Sequence, residues 1–341
     1  MISVLVSFLT SVRTWLLADK RSTGNTSFPA SNRLVAQHAY FSGNRLIERV
    51  GGVWQDSGLV GKGALSDDGL VVAFTGYNIV IDGHALIYRR SSTDVSFSTV
   101  TPVTLDFPAS VTDGYNVLTP DKIALSGDGN RVVVTSNAAD RFLVATGIST
   151  GPSTWVMQTF SIVAGTSIPA SRLTLNYNGT RLVVWYNTSM ANFFYSGIPS
   201  LPWEDVGTLA GGVPNSSAWV SLTCLVVGYG GEVRVYNKQT ASSSMVLTVT
   251  RSRAELGTST LGQLGVLGAG LNSLMMRDGV YLLIFSGISS TGSWTLIGKE
   301  DISEGLPNNA AVQASPSMHQ VVAVNNTNTS IDPYTTFLFE R

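Results

Sequence analysis

Ala124-Leu-Ser-Gly-Asp-Gly-Asn-Arg-Val-Val-Val-Thr135 holds two short apolar runs on either side of a reversal. Ile123 to Leu125 reads as one strand and Arg131 to Thr135 as the next, leaving in the opposite direction. Between them, Asp-Gly and Gly-Asn supply residues that tolerate positive φ, which a tight antiparallel turn requires, and β-branched valines favour a pleated backbone after it.

Copies of this unit recur. Asn32-Arg-Leu-Val-Ala36, Gly69-Leu-Val-Val-Ala73 and Thr180-Arg-Leu-Val-Val184 repeat the second strand. Ser66-Asp-Asp-Gly69 and Asn176-Tyr-Asn-Gly179 repeat the turn. A third strand follows each, then a Gly/Ser/Thr turn and a fourth strand marked by a large residue. Trp54, Phe97, Trp155, Trp203, Met245 and Trp294 are these markers. They recur about every 40 to 60 residues, the period of a four-stranded propeller blade.

Seven units follow, at 12–58, 59–118, 119–166, 167–214, 215–259, 260–306 and 307–341. The last holds three strands only, while the leading stretch, about residues 1–10, has no unit of its own. The spacing therefore predicts an all-β chain, a single domain over 1–341. It is a seven-bladed β-propeller of four-stranded antiparallel blades, with the N-terminal strand completing the blade formed by 307–341. Closing the ring in this way removes exposed strand edges. The leading stretch has no basic start, meets Arg13 and Trp15 early and is too short to span a bilayer, so neither a secretory leader nor a membrane span is expected.

The turns and the strands after them resemble the repeats of seven-bladed propellers of the FG-GAP-like, "SGDGN" type. That resemblance implies a binding platform of the kind found in extracellular, adhesive and virion-surface proteins. Calcium-binding members of that group carry several acids in the loop. Here the turns hold Asp67 and Asp68, Asp128 alone, or none, and calcium needs six to eight oxygens, so no metal is expected. The turn acids read as partners for local backbone N–H groups.

Composition narrows the function further. Net charge is −1 and only five residues are lysine, so no nucleic-acid footprint exists. Charged residues make up 13%, about half the usual share, and Ser, Thr and Asn carry the polar surface instead. That balance suggests an extracellular or virion-surface setting. Cys224, the single cysteine, lies in an apolar run and reads as a small buried hydrophobe. His38, His84 and His319 share no zinc-like spacing, and no nucleophile elbow or phosphate-cradling loop occurs. No catalytic residue and no cofactor are expected. Gly147 to Trp155 and Gly287 to Trp294 echo the sialidase Asp-box without its aspartate, and this supports a glycoside hydrolase only as the alternative.

The function read from the sequence is non-enzymatic binding or assembly. Its partners are other protein subunits or a surface glycan, with higher-order assembly in view. Loops joining second and third strands share one face, and Tyr77, Asp82, His84, Asp140, Arg141 and Tyr229 are the candidate contact residues there. The repeat-locked tryptophans read as packing between blades. Trp185 and Trp219 fall out of register and are the better candidates for exposure.

Overall fold

A computed structural model describes residues 16–22, 34–75, 84–106, 120–136, 141–148, 156–161, 170–186, 190–196, 204–210, 214, 216–238, 244–258, 265–270, 273–278, 281–288, 294–301, 311–315, 318–324 and 335–340. Among these residues the strands form seven four-stranded sheets, each antiparallel throughout and each a meander of neighbouring strands.

Sheet one runs β2 (Val35–Ala36), β3 (Ala39–Ser42), β4 (Arg45–Val50), β5 (Val53–Val60). Sheet two runs β6 (Lys62–Leu65), β7 (Val71–Thr75), β8 (His84–Arg89), β9 (Val103–Asp106). Sheet three runs β10 (Pro120–Leu125), β11 (Arg131–Ser136), β12 (Arg141–Thr146), β13 (Val156–Ser161). Sheet four runs β14 (Ala170–Leu175), β15 (Arg181–Tyr186), β16 (Met190–Tyr195), β17 (Glu204–Ala210). Sheet five runs β18 (Ser216–Trp219), β19 (Cys224–Gly228), β20 (Glu232–Asn237), β21 (Val246–Ser252). Sheet six runs β22 (Gly265–Gly270), β23 (Ser273–Asp278), β24 (Tyr281–Ser286), β25 (Thr295–Asp301). Sheet seven places β26 (Ala311–Ala314), β27 (Gln320–Val324) and β28 (Thr335–Glu340) beside β1 (Leu16–Ser22).

The second strands explain why valine runs dominate the repeats. β7 and β19 are buried along their whole length, because both faces of an inner strand meet a neighbouring sheet. Alternation then assigns each side chain to one interface. Val132 and Val134 pack with Val71 and Ile87 of sheet two, whereas Val133 packs with Leu173 and Leu182 of sheet four. Apolar clusters likewise join sheets one and two (Phe41 with Phe74), four and five (Trp185 with Val227), five and six (Val226 with Met276), and six and seven (Ile284 with Phe339). A further cluster sets Val322 and Leu338 of sheet seven against Val35, Tyr40 and Ile47 of sheet one. The architecture is a β-propeller of four-stranded antiparallel blades. Fourth strands form its outer edge, and β5, β21 and β25 alternate largely between exposed and half-buried positions.

Three expectations need correction. The strand completing the last sheet is Leu16–Ser22, not residues 1–10, which lie outside the described residues. The anchors are polar and long-range: Tyr40 Oη donates to Asp19 Oδ2 at 2.8 Å, Arg21 Nη2 donates to the Trp54 carbonyl at 2.9 Å, and Lys20 sits over the Phe337 ring. An apolar pattern alone could not reveal these. Val35–Ala36, aligned as a second strand, is the innermost strand of sheet one. Phe97 lies in a short 3-10 turn before the fourth strand of sheet two, buried beneath Arg90.

Candidate interaction surfaces

The turns between first and second strands share one construction. Ser126 Oγ accepts the Arg131 N–H at 2.9 Å and donates to Asp128 Oδ1 at 2.5 Å, while that carboxylate accepts the Asn130 N–H at 3.0 Å. Ser66 and Asp68 make the same bonds, and Asn176 and Asn178 substitute amide oxygens for them. Asp68 and Asp128 are turn builders, each spent on a backbone donor. Ser315 repeats the turn in sheet seven, accepting the Gln320 N–H, with Met318 at φ 56° where the others place glycine.

Consecutive turns are tied together. The Asp67 N–H donates to the Gly127 carbonyl at 2.9 Å, and the Asp128 N–H to the Tyr177 carbonyl at 3.0 Å. Side chains reach across as well: Arg89 donates to the Gly129 carbonyl, Arg131 to the Gly179 carbonyl, and Gln320 to the Gln37 carbonyl. In sheet two the clasp includes a buried ion pair. Arg90 donates to the carbonyls of Gly69, Val95 and His38 and to Glu48 Oε2, while Glu48 also accepts the Ser96 hydroxyl and the Phe97 N–H. This end of the molecule is locked, and its polar groups serve the fold.

The sequence predicts contact residues at the opposite end. Tyr77, Asp82 and Asp140 lie outside the described residues. His84 and Arg141 occupy the same place in successive sheets, the first residue of the third strand, so the topology puts them at one end of the molecule. Tyr229 is 6% exposed. Its hydroxyl lies 3.4 Å from that of Tyr236, its ring stacks under the Arg234 guanidinium, and burial pushes its pKa well up. It packs sheet five and is no free contact residue. Trp185 and Trp219 are also buried, in the interface of sheets four and five, because they sit on inner strands. Cys224 is buried, and desolvation pushes its thiol up to about 11. Among the described residues, no three His, Cys, Asp or Glu side chains gather as a metal-holding group, and no helix is long and apolar enough to cross a membrane.

The structure also presents a surface that the sequence reading missed. Fourth strands of four consecutive sheets begin with exposed apolar residues: Val246 and Leu247 in five, Leu296 and Ile297 in six, Leu16 and Leu17 in seven, and Val53 in one. Leu16 (68% exposed), Val53 (65%) and Ile297 (58%) stand out furthest. The register shows a rule. Leu247 opposes Tyr236, Leu296 opposes Phe285, and Leu17 opposes Phe339, so each leucine extends an aromatic column out of the interior. Since antiparallel meanders place all fourth-strand starts at the same end, these residues line one arc of the rim. In sheets six and seven the strand halves beyond them turn polar, at Lys299-Glu-Asp301 and Asp19-Lys-Arg21. Apolar residues near the start of these four outer strands were the available signal, invisible until the outermost strand is known.

No family model matches the chain, and no curated protein matches it in sequence. Solved structures do. A chain from a mitotic checkpoint complex matches with TM-score 0.58 and 13% identity, over 96% of this chain and 95% of that one. U3-55K matches with TM-score 0.58 and 13% identity, over 95% and 99%. The β-propeller domain of Myceliophteria thermophila Cps50 (Swd1) matches with TM-score 0.52 and 10% identity, over 96% and 99%. At such identity these likenesses establish the propeller fold alone. The extracellular or virion-surface expectation is not kept: the propellers matched come from intracellular complexes, and low charge by itself sets no compartment.

Proposed function

We propose that this chain is a non-enzymatic protein-interaction scaffold, one domain whose seven sheets form a ring closed by Leu16–Ser22. The seam cluster of Val35, Tyr40, Ile47, Val322 and Leu338 supports closure, as do the bonds from Tyr40 to Asp19 and from Arg21 to Trp54. Kinship with FG-GAP-like repeats is supported by the turns of sheets two to four. The partner is a protein, and the contact surface is the apolar arc of the rim. One observation carries this reading: four adjacent outer strands on a rigid body leave aliphatic side chains in water at the same end. Contiguous exposed apolar surface marks interaction sites, and outer strands also offer backbone edges for an added strand. The two ends of the disc fit a scaffold as well, since one is consumed by interlocked turns and the other presents loops.

The test is affinity capture from the cells that make the protein, comparing the wild type with Leu247→Asp/Leu296→Asp. Both side chains are exposed, so the variant should keep its circular dichroism and melting temperature. A partner retained by the wild type should fall at least tenfold on the variant, while His84→Ala/Arg141→Ala retains it. Loss with the loop pair and not the rim pair would move the surface to the other end.

A further inference from the structure

β25 of sheet six and β1 of sheet seven are the central outer strands of the apolar arc, and the sheets behind them pack together through Ile284 and Phe339. Each strand is built in two halves. Exposed Leu296-Ile297 and Leu16-Leu17 lie in the first, Lys299-Glu-Asp301 and Asp19-Lys-Arg21 in the second. The charged halves differ in sign, net −1 on β25 and net +1 on β1. Within β1, Asp19 is held by Arg21 and by the Tyr40 hydroxyl, so the excess positive charge falls to exposed Lys20. Neither strand complements itself, but each complements the other.

We propose that this part of the rim binds a second copy of the same chain, in a two-fold dimer whose axis runs along the strands, between sheets six and seven. This rests on the reading of the rim as the interaction surface and names its occupant. A two-fold interface sets one patch against itself, so that where residue i meets j, j also meets i. With the axis along the strands, β25 of one copy faces β1 of the other, twice over. Both strands start at the same end of the molecule, and such an axis keeps that end in common. Apolar halves then meet apolar halves, and each −1 half meets a +1 half. An axis across the strands fails on both counts. It sets β25 against β25 and β1 against β1, end for end, with leucines against charged side chains. The flanking outer strands carry the pattern only weakly, β21 with Arg251 alone and β5 with Asp56 alone, so charge selects the central pair. Complementary charge fixes orientation and suppresses wrong pairings, while the exposed aliphatic residues supply the attraction. An unrelated partner would require no match between two strands of this chain, and that match is what selects a second copy.

Sedimentation equilibrium of the purified full chain from about 1 to 100 µM reads the oligomeric state, and a monomer–dimer equilibrium is expected. Lys20→Glu and Glu300→Lys each set like charges together at both contacts of the dimer, so each alone should weaken it about fivefold. Lys20→Glu/Glu300→Lys exchanges the signs and should return the dimer to within about twofold of wild type. Leu17→Asp/Ile297→Asp should abolish the dimer while the monomer keeps its circular dichroism. A chain monomeric throughout the range, a dimer indifferent to these variants, or a double charge variant as weak as the single ones overturns the proposal. The rim itself is scored separately. A wild type that stays monomeric, while a captured protein is lost with Leu247→Asp/Leu296→Asp, overturns the second copy and upholds the rim.

Discussion

Lys238 stands buried just beyond β20, at the start of the connection to the outer strand of sheet five. Burial, helped by the Arg181 charge and opposed by Glu204, pulls its pKa down to about 8. A lysine whose folded pKa lies below its unfolded 10.5 costs stability wherever the unfolded chain would hold the proton. The cost is therefore full below about pH 8, shrinks as pH rises towards 10.5 and is gone above it. The gap caps the effect at about 3.4 kcal/mol. Lys238→Met keeps the stem and removes the charge, so it should stabilise the protein by about 1–3 kcal/mol at pH 7 and by nothing near pH 10.5. Urea denaturation of both proteins at the two pH values checks this; an equal gain at both would show that packing, not charge, is responsible. The Glu48–Arg90 pair differs in kind, since each buried charge there has several donors or acceptors around it.

At the scale of the element, the interlocked turn predicts which glycines matter most. Gly69 and Gly179 have nearly the same φ, 69° and 67°. A Cβ on Gly69 would meet nothing closer than 3.4 Å, whereas on Gly179 it would lie 2.6 Å from Arg131 Cδ, the side chain that grips the Gly179 carbonyl. Gly69→Ala should cost about 1–2 kcal/mol, the left-handed penalty alone, and Gly179→Ala about 2–4 kcal/mol because the clasp must also shift. Equal losses in denaturant titrations would mean that the clasp yields freely. These turns were legible in the sequence because Ser, Asp, Asn and Gly act locally, through bonds spanning two to five residues. The copy at Ser315 was not, since Met318 takes the glycine position and hides the motif. The strand from Leu16 was hidden for a different reason. Its partners Tyr40, Trp54 and Phe337 are remote in sequence, while the leading stretch before it carries the stronger local strand pattern. Trp185 and Trp219 broke the repeat spacing yet are buried, because register along a repeat does not say which strand is innermost.

For the whole molecule, the decisive property is whether the seam between sheets seven and one bears load like any other interface. Among the described residues, hydrogen bonds or ion pairs cross it from Tyr40 to Asp19, Arg21 to Trp54, Leu34 to Gln313, Gln320 to Gln37, and Arg49 to Glu340. Beneath them lies Leu338, buried completely against Val35, Tyr40 and Ile47. Leu182 is its counterpart at the interface of sheets three and four, also buried completely. In a closed ring no sheet is terminal, so removing either side chain must be answered by the same cooperative unit. Leu338→Ala and Leu182→Ala should then each cost about 2–5 kcal/mol, with a single unfolding transition kept in both. In an open arc, sheets seven and one would instead be ends able to fray. Leu338→Ala would cost under about 1 kcal/mol, or would split off an early transition, while Leu182→Ala kept its full cost. Parallel denaturant titrations read by tryptophan fluorescence and far-ultraviolet circular dichroism separate the two cases, because Trp54 sits at the seam and the dichroism reports every sheet.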